Sequence, residues 1–247
     1  MAARVTSLRV TRSALAVVIA LAPACAGPLA GAPGWPLGSG RETIVILDPP
    51  HSFAEGWEHL VLEGETDYEL ALAGEALAIH AVAHRSASGL MRRVRIEPER
   101  CRRLEWAWRV DQVHTGADLR ERDREDVAAA LYVLFGNPEG PLGPRPVPTL
   151  RYVWTNDRLP RDSVIDSPYL PGTVRSLVLR GDPADLGSWR RERRDVVADF
   201  QRAFARPPDD VIEAVALFTD GDQTGEDAEA WYGPIRIHCG PVDEDAE

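Results

Sequence analysis

The stretch that decides the fold runs Val211-Ile-Glu-Ala-Val-Ala-Leu-Phe-Thr-Asp220-Gly-Asp-Gln-Thr-Gly-Glu-Asp-Ala-Glu-Ala-Trp231-Tyr-Gly-Pro-Ile-Arg-Ile-His-Cys239. An apolar run enters a tight acidic turn, and an aromatic-led second run leaves it, which reads as a β-hairpin-like unit. Oxygen ligands crowd its tip. Asp220-Gly-Asp222-Gln-Thr224-Gly225 imitates the opening of a calcium loop, with oxygens at positions one, three and five and glycine at six. Position twelve, which an EF-hand fills with a bidentate Glu, is Trp231, and a strand rather than a helix precedes the turn, so an EF-hand is excluded. Two readings stay open. One is a looser calcium site built from Asp220, Asp222 and Thr224, helped by Glu226 or Asp227. The other is a turn whose Asp and Thr side chains bond their own backbone.

Outward from this unit the same texture repeats: short apolar runs bounded by turn residues. Thr43–Leu47, Trp57–Leu62, Tyr68–Leu72, Leu90–Ile96, Leu150–Thr155 and Val174–Leu179 are strand candidates. Ala76–His84 suits helix or strand, and its flanking Gly74 and Ser86-Ala-Ser-Gly89 favour a strand. Residues 104–110 alternate, with Leu104, Trp106, Trp108 and Val110 on one face and Glu105, Ala107 and Arg109 on the other. Val127–Phe135 alternates likewise, placing Asp126, Ala128, Ala130 and Tyr132 opposite an apolar face. One helix is expected near 195–205, capped by Asp195, striped by Val196, Phe200 and Phe204, and ended by Arg206-Pro-Pro208. The arginines at 190, 191, 193 and 194 read as a solvated face paired with Glu192, Asp195 and Asp199. The expectation is a mainly β chain: a single β-sandwich of jelly-roll type with one short α-helix.

The N-terminus reads as an export signal. Arg4, Arg9 and Arg12 precede the apolar run Ala14–Leu21 and the small-x-small site Ala22-Pro-Ala24. Cys25 follows directly, so lipid attachment at Cys25 and simple cleavage both stay open. The expected organisation is a signal peptide over 1–24, a Gly/Pro/Ala-rich tether over 25–41, the sandwich over 42–240 and an acidic tail over 241–247. Loss of the signal removes three arginines and no acid, moving the net charge from −11 to −14. A chain so acidic repels nucleic acid and anionic lipid surfaces, leaving a lipid on Cys25 as the expected membrane link. There is no lysine, which excludes Schiff-base chemistry and a P-loop lysine. Of the remaining cysteines, Cys101 and Cys239 either form one disulfide in an oxidising compartment or stay as buried thiols.

Six blocks then appear in order: Leu104-Glu-Trp-Ala-Trp-Arg109; Asp126-Val-Ala-Ala-Ala-Leu-Tyr132; Arg151-Tyr-Val-Trp154; Trp189 with Arg194-Asp195 and Asp199-Phe200; Thr219-Asp-Gly-Asp-Gln-Thr-Gly225; and Ala230-Trp-Tyr-Gly233. Together they resemble the exported bacterial domain of unknown function 3047 family over nearly all of the chain after the tether. That family usually has Asn where Gln223 stands and often Asn at Asp195. The resemblance implies an exported β-rich domain akin to galactose-binding-like and carbohydrate-binding jelly rolls. It carries no catalytic residues with it.

The candidate ligand face combines Arg109, Asp126 and Tyr132 with Tyr152, Trp154 and Tyr232, because sugar rings stack on aromatic faces while their hydroxyls bond nearby charges. The competing reading makes the tryptophans core and Arg109 a structural partner of Asp126. No nucleophile elbow, zinc-binding His-Glu-x-x-His or glycine-rich phosphate loop is present. The first expectation is therefore a non-catalytic module binding a carbohydrate or cell-envelope polymer. A hydrolase or lyase working through acidic residues, and an envelope scaffold without a small ligand, are the alternatives.

Overall fold

The computed structural model describes residues 42–52, 56–140 and 143–240; the expected signal, Cys25, the tether and the acidic tail lie outside the described residues. The strands are β1 Thr43–Leu47, β2 Trp57–Glu63, β3 Asp67–Ala73, β4 Ala76–His84, β5 Ala87–Ile96, β6 Arg103–Gln112, β7 Ala129–Phe135, β8 Glu139–Gly140, β9 Gly143–Pro144, β10 Thr149–Trp154, β11 Val164–Asp166, β12 Val174–Arg180, β13 Arg190–Asp195, β14 Ile212–Asp220 and β15 Asp227–His238. A four-residue turn of helix, α1 (Pro49–Ser52), follows β1, and α2 (Val196–Phe204) follows β13.

Two sheets face each other as a sandwich. The first runs β13-β6-β15-β4-β3, with β1 also paired to β15; the second runs β11-β12-β10-β7-β14-β5-β2. Every pairing is antiparallel except β10 with β12. The alternation in β6 and β7 explains the core directly. Leu104, Trp106, Trp108 and Val110 from one sheet meet Ala129, Leu131, Val133 and Phe135 from the other, all essentially buried. Trp106 packs on Tyr152 and Trp108 on Trp154, with ring centroids 5.0 and 5.7 Å apart.

The hairpin expectation is overturned. β14 and β15 do not pair: β14 lies between β7 and β5, and β15 lies between β6 and β4 in the opposite sheet. Each needs strand neighbours on both edges while turning an apolar face to the shared core, Leu217 from one side and Tyr232 from the other. The acidic turn therefore arches from sheet to sheet. Tyr232 stitches the arch by donating its hydroxyl to the Phe218 carbonyl at 2.7 Å. Two glycines make the arch tight: a Cβ on Gly221 would lie 2.1 Å from the Glu226 carbonyl oxygen, and Gly225 adopts a φ of +66°.

Helix α2 matches its expectation. Asp195 accepts the Val197 and Ala198 amides at 3.0 Å each, and Val196 and Phe200 are fully buried. The arginine run is a correction. Arg191 and Arg193 are exposed, as a solvated face requires, but residues 190–195 form an edge strand on β6. Glu192 is buried there, accepting Trp108 Nε1 at 3.1 Å and Arg180 Nε at 2.7 Å. Arg194 keeps the expected partner, Asp199, at 2.5 Å, while Arg190 pairs with Asp185 and Arg193 with Glu105. Cys101 and Cys239 form a disulfide, tying the turn before β6 to the end of β15. That bond is consistent with an exported protein.

Candidate functional site

Three carboxylates meet where the arch leaves the second sheet. One ligand oxygen from each of Asp126, Asp220 and Asp222 lies within 4.8 Å of the others. Asp126 precedes β7 and holds the arch in place. Its Oδ1 accepts the Gln223 amide at 3.2 Å, and its Oδ2 accepts the Thr224 amide at 2.6 Å and the Thr224 hydroxyl at 2.5 Å. Asp220 answers from β14, its Oδ1 accepting the Val127 amide at 2.6 Å. These crossed bonds keep 126–127 out of β7, which starts two residues later than the alternation predicts. Asp222 accepts Gln223 Nε2 through Oδ2, while its buried Oδ1 meets no donor.

Electrostatics separate the three. Burial, then the neighbouring Asp126, pushes the Asp220 pKa well above the usual carboxylate range, so Asp220 keeps its proton where a solvated Asp would lose it. The same two causes raise Asp222. His114, whose Nε2 faces Gly221 and has no hydrogen-bond partner, is held neutral by burial.

The acidic end opens into a cavity of about 450 Å³ on the outer face of the second sheet. Tyr132 from β7, Arg151 from β10 and Phe218 from β14 line it, with Glu125 beside them; Leu62, Tyr169 and Leu170, all substantially exposed, form its rim. Arg151 is buried in the floor. Its Nε donates to Ser176 Oγ at 2.8 Å, Nη1 to the Tyr132 hydroxyl at 3.2 Å and Nη2 to Glu125 Oε1 at 2.5 Å. Burial works against its charge, but Tyr132 and Glu125 more than offset that and raise its pKa. A second cavity, about 580 Å³, is lined by Asp157, Arg161, Arg180 and Asp185; Arg180 and Asp185 pair with each other across it at 3.2 Å.

The sequence-derived candidates divide accordingly. Asp220, Asp222 and Tyr132 come together at this cavity, and Asp126, fully buried, meets the two acids without lining it. Thr224 is committed to Asp126, and Glu226 accepts the Thr115 and Gly116 amides. Arg109 lies on the first sheet, bonded to Asp111 at 2.5 and 2.9 Å beside Trp231, and so never meets Asp126. Tyr152, Trp154 and Tyr232 point into the inter-sheet core, because they occupy the inward positions of β10 and β15. Sequence reasoning passed over Arg151, Glu125 and Tyr169. Arg151 did carry a signal: it is the one charge inside the apolar run Leu150–Trp154, in register with Tyr132 on the next strand.

A family model, described as protein of unknown function (DUF3047), matches residues 55–236. The chain belongs to that family. No curated protein matches the sequence. Among solved structures, this DUF3047 domain is similar to the K1 cleaved adhesin domain of Lys-gingipain from Porphyromonas gingivalis W83, at 11% identity and a TM-score of 0.40, covering 81% of this chain and 99% of that one. Cip1, a cellulose induced protein, gives 12% and 0.43 over 79% and 97% of the two chains. The family 11 xylanase from Neocallimastix patriciarum gives 12% and 0.35 over 82% and 94%. Likenesses this distant assign no activity and no ligand to the DUF3047 domain.

Proposed function

We propose that this domain is an exported, non-catalytic module that binds a carbohydrate or cell-envelope polymer in the cavity above Tyr132 and Arg151. The observation that carries the reading is the composition of that one cavity. Aromatic rings line its floor and rim, and carboxyl groups converge at one end, an arrangement suited to a sugar's C–H faces and hydroxyls. Arg109, Tyr152, Trp154 and Tyr232 take no part in it. The signal-like N-terminus and the disulfide support export of such a module, to the periplasm or the extracellular space, with Cys25 as the candidate lipid anchor.

The test is the melting temperature of the secreted chain against a panel of envelope and plant oligosaccharides, each with calcium and with chelator, since a ligand specific for the folded state raises it. One saccharide class should raise it, and Tyr169→Ala, on the exposed rim, should abolish the rise without changing the unliganded melt. If no saccharide acts, the reading falls. A rise with calcium alone would instead assign Asp220 and Asp222 to a metal.

A second reading has one observation in its favour. Asp220 retains its proton beside Asp126 and Asp222, the acid-with-carboxylate pairing that glycoside hydrolysis uses. It predicts product release with a bell-shaped pH profile that Asp220→Asn abolishes. Silence across a broad polysaccharide panel would end it.

A further inference from the structure

We infer that the outer face of the first sheet binds an anionic polysaccharide, whose uronate carboxylates meet an arginine cluster on β13, β6 and β15. This face and the cavity belong to different sheets, so the inference stands or falls separately from the reading of the cavity.

The alternation that builds the core also builds this face. Leu104, Trp106 and Trp108 of β6 point inward, so Arg103, Glu105 and Ala107 point outward. Register carries the face across the sheet. Glu105 lies opposite Arg193 on β13 and Arg236 on β15, Ala107 opposite Arg191, and Arg103 opposite His238. Four arginines on three strands therefore surround Glu105. Its oxygens accept Arg193 Nε at 2.9 Å and lie 3.4 Å from Arg103 Nε and 3.3 Å from His238 Nε2. Asp195, at the end of the cluster, is taken by Arg102 and the first turn of α2. Burial holds His238 neutral at neutral pH, so the cluster's charge is that of the arginines.

The decisive residue is Arg236. Among the described residues it makes no ion pair, and its Nε is buried without an acceptor, which leaves its terminal nitrogens for a ligand. One carboxylate cannot neutralise four guanidinium groups, so the face is positive on a chain whose net charge is −11. Exposed charges more than about 8 Å apart are largely screened at physiological ionic strength, so an anion here meets the arginines and not the chain's distant acids. A carboxylate matches the paired N–H donors of a guanidinium in both shape and charge. The aromatic neighbour points to a sugar as its carrier. A Cβ on Gly233 would lie 3.3 Å from Ala107 Cβ and 3.5 Å from the ring of half-buried Trp189, so this tryptophan lies over two positions without bulk, beside Arg191. That arrangement suits a ring bearing its own anion. Trp231, farther along the face, is stacked under His80 at 4.0 Å and takes no part.

The experiment is titration calorimetry of the purified secreted chain at neutral pH and low salt with a galacturonate tetramer, its methyl ester and tripolyphosphate. The free acid should bind at least about tenfold tighter than the ester, the lower end of what one charge-assisted hydrogen bond supplies, and should weaken as salt is raised. Arg236→Gln and Arg191→Gln should each reduce that preference with the melting temperature unchanged. Arg95→Gln, the same change of charge on exposed β5 of the second sheet, should keep it. Equal binding of the ester, equal or tighter binding of tripolyphosphate, no binding at all, or indifference to Arg236→Gln overturns the inference. A last variant replaces Asp243, Glu244, Asp245 and Glu247 with their amides. Binding seen in that variant alone would assign the face to the chain's own acidic C-terminal residues and overturn the inference too.

Discussion

Replacing both Cys101 and Cys239 with Ala cuts a cross-link between residues 138 positions apart. Those residues sit where three strands are pinned together. The Cys239 amide donates to the Glu42 carbonyl before β1, and the Gly240 amide to the Arg100 carbonyl before β6, each at 2.9 Å. The native contacts at this point survive the substitution, so the main effect falls on the unfolded chain, which regains the freedom of a loop of that length. Loop-closure entropy for about 138 residues corresponds to about 5 kcal/mol at 25 °C. That is a third or more of the total stability of a typical domain. Urea unfolding followed by tryptophan fluorescence reads it directly. The variant's midpoint should fall, and its m-value should rise because the unlinked chain exposes more surface. A loss below about 2 kcal/mol, or a wild-type midpoint unmoved by reductant, would refute the reasoning.

Arg151→Met leaves the buried Glu125 carboxylate without its partner and should cost about 3–5 kcal/mol in urea melts, with the Arg151→Met/Glu125→Gln pair recovering most of it. Asp220→Asn tests the acidic nest. Because the folded pKa of Asp220 is raised, the unfolded chain ionises first as pH climbs above 3.8, and the wild type loses stability from there up to the folded pKa. The variant should therefore gain melting temperature over wild type progressively as pH rises above 3.8, and a gap that stays constant would contradict the burial argument. Asp195→Ala removes the cap from α2 and its bonds to Arg102, and should cost about 1–2 kcal/mol by the same melts.

Much of the fold is legible in the sequence because its information is local. The period-two alternation of 104–110 and 127–135 states which side chains meet in the core, and the Asp195 cap with its apolar stripe states the one longer helix. What is not legible is which strand lies beside which. Val211–Cys239 has the pattern of a hairpin, yet its strands belong to opposite sheets, and nothing within those residues separates a hairpin from an arch. Strand β13 is hidden for a different reason. Arg-Arg-Glu-Arg-Arg-Asp has no apolar face, and it forms an edge strand because Glu192 is satisfied by Trp108 and Arg180, both distant in sequence.

The candidate site divides along the same line. Asp220 and Asp222 stand out in the sequence by their spacing, but whether an acid serves architecture or chemistry depends on how many of its oxygens the fold has already used. Asp126 has spent both, on the amides and hydroxyl that lock the arch, so its removal should read first as a loss of stability. Glu125, Asp220 and Asp222 have each spent one. Asp220 keeps its proton and Glu125 pairs with Arg151, so among the three it is Asp222 that holds a buried oxygen without a donor, at a cost in stability. A purely structural role at position 222 would be met as well by Asn, which brings its own donor. The acid at 222 makes physical sense if the missing hydrogen arrives with a ligand.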